Sequence, residues 1–165
     1  MTSSSDIRTA FQGCFGRPAV AVARAPGRLE ILGNHTDYNE GVVLSMAVES
    51  GTWFAAAPRP GTACKVRDLR SGETRTFDLT ALANPKPKDW ANYIKGMVVE
   101  LTGRGLAVPA FDAVVQSTLP TSAGMASSAA FEMAAGLALT QLAGVELPWL
   151  ELARAEKKLG LNISQ

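Results

Sequence analysis

Histidine and cysteine are scarce in this chain. One histidine and two cysteines, Cys14 and Cys64, with no CxxC pair, leave no ligand set for a structural zinc, and a reduced cytosolic protein is the expectation. Neither sign of charge is in excess. Sixteen Lys and Arg stand against 15 Asp and Glu, a net charge of +1, so there is no general electrostatic reason to expect a nucleic-acid or anionic-membrane partner. Long apolar runs are lacking as well. The first ten residues, MTSSSDIRTA, have no apolar core of the kind a signal peptide carries, and the most apolar stretch, 123–145, is interrupted by Ser127, Ser128, Glu132 and Gln141. No membrane span is expected. What is present is 165 residues at 47% hydrophobic content, enough for one domain with a core of its own.

The first half reads mainly as β-structure. Apolar runs at 19–23 and 29–32 are stopped by Pro26-Gly27 and Gly33-Asn34, and 42–48 and 52–57 are separated by Glu49-Ser50-Gly51. Each is expected to be a short strand ended by a tight turn. The segments 63–69 and 74–79 flank Ser71-Gly72 and predict a hairpin. After the break at Asn84-Pro85-Lys86-Pro87, residues Trp90, Tyr93, Ile94, Met97, Val98 and Leu101 follow helical spacing, with Gly103 and Gly105 placed to end the helix. A strand over 111–115, an Ala-rich buried helix over 127–142 and a last helix from about 148 to 159 complete the reading. Hairpins followed by a strand and helices predict an α+β domain rather than a doubly wound sheet.

Two segments carry the chemistry. In LPTSAGMASSAA (119–130), small residues between a predicted strand and a predicted helix let backbone N–H groups approach an anion, and helix N-termini attract phosphate. There is no GxxxxGK[ST] pattern, so cradling falls to amides and serine hydroxyls; the same residues also read as a Ser/Gly cap on a core helix. In APGRLEILGNHTDYN (25–39), Asn34, His35 and Asp37 offer amide, imidazole and carboxylate to the hydroxyls of one sugar, and a site built to bind hydroxyls rejects analogues lacking them. Arg28 is a cation suited to an ionising hydroxyl and to a transferring phosphoryl group. Singly, these residues also read as turn, surface and salt-bridge residues.

The loop pattern PxxxGxxSSAA resembles the nucleotide loop of the GHMP kinases, and the second segment resembles the galactokinase signature APGRVNLIGEHTDYN. The resemblance implies a GHMP kinase N-terminal domain of the ribosomal protein S5 domain 2 type, spanning 1–165. It implies that Arg28 assists catalysis, that Asn34, His35, Thr36 and Asp37 line the sugar pocket, and that Ser122, Ala123, Gly124, Met125, Ala126, Ser127 and Ser128 bind ATP. Ser128 and Glu156 would hold Mg²⁺, and Trp90-Ala-Asn-Tyr93 resembles a stretch on the adenine side of related enzymes.

The implied reaction is transfer of the γ-phosphoryl of MgATP to the anomeric hydroxyl of galactose. The departures are an acid, Glu30, where the family has asparagine, and an amide, Asn34, where it has glutamate. In the loop, Ser122 and Ala126 replace the usual glycine and serine. The exchange at 30 and 34 leaves open a kinase for another hexose or an N-acetylhexosamine. A non-catalytic galactose and ATP sensor is a further alternative. The family's catalytic aspartate and its ferredoxin-like second domain are expected beyond Gln165, which would leave the 165 residues inactive by themselves.

Overall fold

Ser3 opens the first helix by a reciprocal cap: its hydroxyl accepts from Asp6 N at 3.2 Å, and the Asp6 carboxylate accepts from Ser3 N at 2.7 Å. The computed structural model describes residues 2–33, 42–82, 87–120, 124–148 and 150–155. Helix α1 (Ser4–Phe15) ends at Gly16, whose φ of 68° is the left-handed cap conformation that glycine adopts freely. It buries Ile7 and Phe11.

Among the described residues five strands follow as one mixed sheet: β1 (Ala21–Leu32), β2 (Leu44–Pro58), β3 (Ala63–Asp68), β4 (Thr74–Asp78) and, after helix α2 (Ala91–Gly103), β5 (Phe111–Ser117). Their order is β1-β2-β5-β3-β4, and all neighbours are antiparallel except β3 and β5. The late strand β5 is therefore the centre of the sheet. Helix α3 (Ser127–Leu142) completes the named elements, and 150–155 are helical.

The sheet is buried on both faces at its centre, which is why β2 carries Trp53 to Ala57 and β5 carries Ala113 to Val115 as unbroken apolar runs. Phe54, Ala56, Ala113 and Val115 point into a core shared with Ile94, Met97 and Leu101 of α2 and Ala134, Ala138 and Leu139 of α3. Ala55, Ala57 and Val114 point the other way, onto Ile7 and Phe11 of α1. Close approach depends on small residues. A Cβ on Gly136 would sit 2.8 Å from Leu152 and 3.1 Å from the sulfur of Met97, so this glycine is where α3, α2 and the 150–155 helix meet. Asp112, buried on β5, is held by Arg17 at 2.8 Å and Arg59 at 2.9 Å, so the buried carboxylate is paired.

Two expectations are corrected. Pro26-Gly27 and Glu49-Ser50-Gly51 do not end strands: β1 and β2 run through them, with Pro26 opposite Gly51 and a register irregularity between Pro26 and Arg28. Proline is tolerated because β1 is an edge strand. Glycine is required at 51 because a Cβ there would lie 2.5 Å from the Ala25 carbonyl oxygen. The polar N-terminal segment, given no element from its sequence, is helix α1. The expected last helix is described only over 150–155, its remainder lying outside the described residues.

Candidate active site

The loop between β5 and α3 is tethered at both ends. Arg70, in the turn between β3 and β4, donates from Nη1 to the carbonyl of Leu119 at 3.0 Å. At the other end, Arg28 N of β1 donates to the carbonyl of Met125 at 3.1 Å. The second bond requires Gly27: a Cβ there would fall 2.4 Å from Leu119 Cδ2 and 3.0 Å from Met125 O. The glycine before Arg28 thus lets β1 lie against the loop. Gly124 (φ 68°) and Ala126 (φ 50°) turn the chain into α3 through left-handed conformations, the second unfavourable for a residue with a Cβ. Ala126, the N-cap, makes no side-chain hydrogen bond, so no side chain of that residue covers the first-turn N–H groups of α3.

The first turn of α3 has a different cleft on each flank. On one side lies an open cleft of about 740 Å³ bordered by Ser127, Ser128, Phe131, Trp90, Tyr93 and Arg70. Trp90 and Tyr93 pack against Phe131 with ring centroids 6.2 and 6.1 Å apart. Trp90 is held from behind by Nε1 donating to Glu73 at 3.1 Å and by the Arg75 guanidinium 5.6 Å from its ring centre. On the other side is a cleft of about 300 Å³ bordered by Arg28, Pro26, Ala126, Ala129 and Met133. The Arg28 side chain is 58% exposed and its Nη2 lies 4.0 Å from Glu30 Oε2.

Beside Trp90, Asp89 accepts from Lys95 Nζ at 3.0 Å, Ala91 N at 3.1 Å and Arg75 Nε at 3.2 Å. Burial raises its pKa, but the hydrogen bonds from Lys95 and Ala91 and the charge of Lys95 outweigh it, and the carboxyl sits below its ordinary value. Burial pushes the Cys64 thiol the other way, up to about 11, so this cysteine stays protonated at neutral pH.

Of the residues singled out from the sequence, Arg28, Met125, Ala126, Ser127 and Ser128 are brought around the start of α3, with Gly124 exposed at the turn leading into it. Asn34, His35, Thr36, Asp37, Ser122, Ala123 and Glu156 lie outside the described residues. Arg70, Ser71, Asp68 and Phe131 border the larger cleft without having been singled out. Phe131 lies at helical spacing from Ser127 and Ser128, a signal that was readable. The β3–β4 turn carried only a hairpin signal, and its position beside a loop 50 residues further on is a product of β3 pairing with β5.

The galactokinase galactose-binding signature matches residues 9–58, and the N-terminal domain of the GHMP kinases matches residues 92–164. Curated galactokinases from Chloroflexus aggregans and Chloroflexus aurantiacus are each 37% identical over 153 residues, 93% of this chain and 39% of theirs. The chain resembles the N-terminal part of a galactokinase over nearly its whole length. It spans about 39% of the length of those relatives. Among solved structures, a Lactococcus lactis galactokinase complexed with galactose superposes with a TM-score of 0.86 at 31% identity, covering 98% of this chain and 43% of the other. The mevalonate kinase of Methanococcus jannaschii, at 17% identity, 86% coverage of this chain, 46% of its own and a TM-score of 0.77, shares the fold. The α+β architecture is that of the GHMP kinase N-terminal domain. The signature region contributes β1 and β2; the GHMP region contributes α2, β5 and α3.

Proposed function

We propose that this chain forms the sugar- and nucleotide-binding part of an ATP-dependent kinase that transfers the γ-phosphoryl group of ATP to the anomeric hydroxyl of galactose, giving galactose 1-phosphate. The observation that carries the reading is the position of α3. Its first turn has an aromatic-lined cleft on one flank and Arg28 on the other, with Arg28 N bonded to the loop itself.

In this arrangement the faces of Trp90 and Tyr93 receive a planar base, while the Ser127 and Ser128 hydroxyls and the N–H groups opening α3 meet the phosphates. Arg28 reaches the transferring group from the far flank and stabilises the charge that spreads over its oxygens. The strand carrying Arg28 continues to Leu32, so Asn34, His35, Thr36 and Asp37 follow within a few residues in sequence and would hydrogen-bond the sugar. Among the described residues no group of three or more His, Cys, Asp or Glu is placed to hold a metal ion. Ser128, at the rim of the larger cleft, is a hard oxygen donor that suits Mg²⁺. With Glu156 it would hold that ion, whose charge offsets that of the phosphates. Catalysis would then rest on positioning and charge rather than on covalent chemistry.

The test is a coupled ADP-release assay on the full product of the native reading frame, with galactose, glucose and N-acetylgalactosamine as acceptors. Turnover highest with galactose supports the proposal. A preference for N-acetylgalactosamine moves the substrate, and galactose binding without ADP release from any sugar overturns the kinase reading in favour of a sensor.

A further inference from the structure

We infer that Glu30 is an acceptor for one hydroxyl of the bound sugar and helps to determine which hexose is taken. The inference rests on the sugar-kinase reading above and adds a residue to it. Glu30 lies two positions along β1 from Arg28, with no irregularity of register between them, so the two side chains share a face of the strand. That side chain is only 22% exposed. Its Oε1 is buried and has no hydrogen-bond partner among the described residues, and Oε2 has only the distant Arg28 Nη2, at 4.0 Å.

A carboxylate oxygen kept from water and from any donor destabilises the fold. An apolar residue at the same strand position would avoid that cost. A donor that arrives with a ligand removes it, and a sugar hydroxyl is a donor of the right size. The neighbourhood fits, because Arg28 borders the cleft at the first turn of α3, where the phosphoryl group would come, and β1 ends at Leu32, two residues in sequence before 34–37.

The sequence supplies an independent reason. Relative to the galactokinase signature, the acid and the amide are exchanged between positions 30 and 34, so Asn34 can donate as well as accept while Glu30 is acceptor-only when ionised. Moving the carboxylate from position 34 to position 30, on β1, keeps that acceptor-only group in the site and changes the point of the chain from which it reaches the sugar. A role confined to holding Arg28 is a different arrangement with a different signature, since it would affect phosphoryl transfer to every sugar alike.

The experiment compares the full product of the native reading frame with its Glu30→Gln variant and with the exchange variant Glu30→Asn/Asn34→Glu. Acceptors are galactose and its 2-, 3-, 4- and 6-deoxy analogues; sugar binding is also followed by calorimetry, and melting curves monitor folding. The expected result is that Glu30→Gln raises the KM for galactose about tenfold or more with the KM for ATP unchanged. One deoxy analogue should be handled equally by parent and variant, because the hydroxyl that Glu30 holds is missing from it, and the exchange variant should recover most of the galactose affinity. Equal loss on every analogue, a fall confined to kcat, or no change in sugar affinity overturns the inference and leaves the kinase reading standing. A parent protein that neither binds nor phosphorylates any hexose overturns both.

Discussion

A methyl group has no room at Gly27. The contacts it would make, 2.4 Å to Leu119 Cδ2 and 3.0 Å to Met125 O, fall on the two ends of the loop between β5 and α3, so Gly27→Ala should cost about 1–3 kcal/mol through overpacking and, on the proposed function, raise the KM for ATP. Adding Leu119→Ala should return part of the loss, because the nearest clash is with that side chain, and a denaturation series on both variants measures the coupling. Asp37→Ala should raise the KM for galactose at least tenfold while leaving that for ATP alone; steady-state kinetics with either substrate varied checks it.

Asp89 makes a prediction in pH. Its folded pKa lies below the ordinary 3.8, so its contribution to stability is fully present above that value and is lost as pH falls through the lower folded pKa. Asp89→Asn should therefore destabilise by about 2 kcal/mol at pH 7, Lys95 losing its charged partner. Melting temperatures of the two proteins should converge only below about pH 3.8.

Helix α1 lies across the sheet from α2 and α3, and that separation gives it a distinct expected phenotype. Phe11 is fully buried against Ala55, Ala57 and Val114, so Phe11→Ala should cost about 3–5 kcal/mol with nucleotide affinity unchanged in the folded fraction. Chemical denaturation and nucleotide titration by tryptophan fluorescence check the two halves of that statement. This helix also marks the limit of the sequence reading. Ser3 and Asp6 form a capping pair, and Ile7 and Phe11 are four apart, but two buried side chains in a largely polar segment give too weak a period to predict a helix. Elements set by local pattern were legible: the β3–β4 hairpin, α2, β5 and α3 lie close to where spacing predicts. Pro26-Gly27 and Glu49-Ser50-Gly51 misled, because their residues are chosen for the contact of β1 with β2 and with the loop rather than for turns. The same distinction holds at the site. The grouping of Trp90 and Tyr93 with Ser127 and Ser128 followed from a recognised pattern, whereas Arg70 reaches the loop only because β3 pairs with a strand nearly fifty residues later.

At the scale of the whole molecule, the described residues include an exposed apolar group at one end of the sheet. At the far end of β1 and β2, Ile31, Leu32, Val42, Leu44 and Met46 are all exposed, Val42 at 93%. A patch of this kind on a monomer favours association. The 165-residue chain by itself is expected to self-associate at rising concentration, and Leu44→Ser with Met46→Ser to reduce this, as sedimentation velocity would show. The sheet order also bears on the time course of synthesis. The β1–β2 and β3–β4 hairpins leave the ribosome before the centre of the sheet does, and no strand joins them until β5, more than thirty residues beyond β4, arrives to lie between β2 and β3. Until then the growing polypeptide carries two unpaired strand edges that are both destined for the same missing neighbour. The hazard of making this protein therefore falls between residue 78 and residue 117, where a pause in translation prolongs the life of those edges and quick passage shortens it.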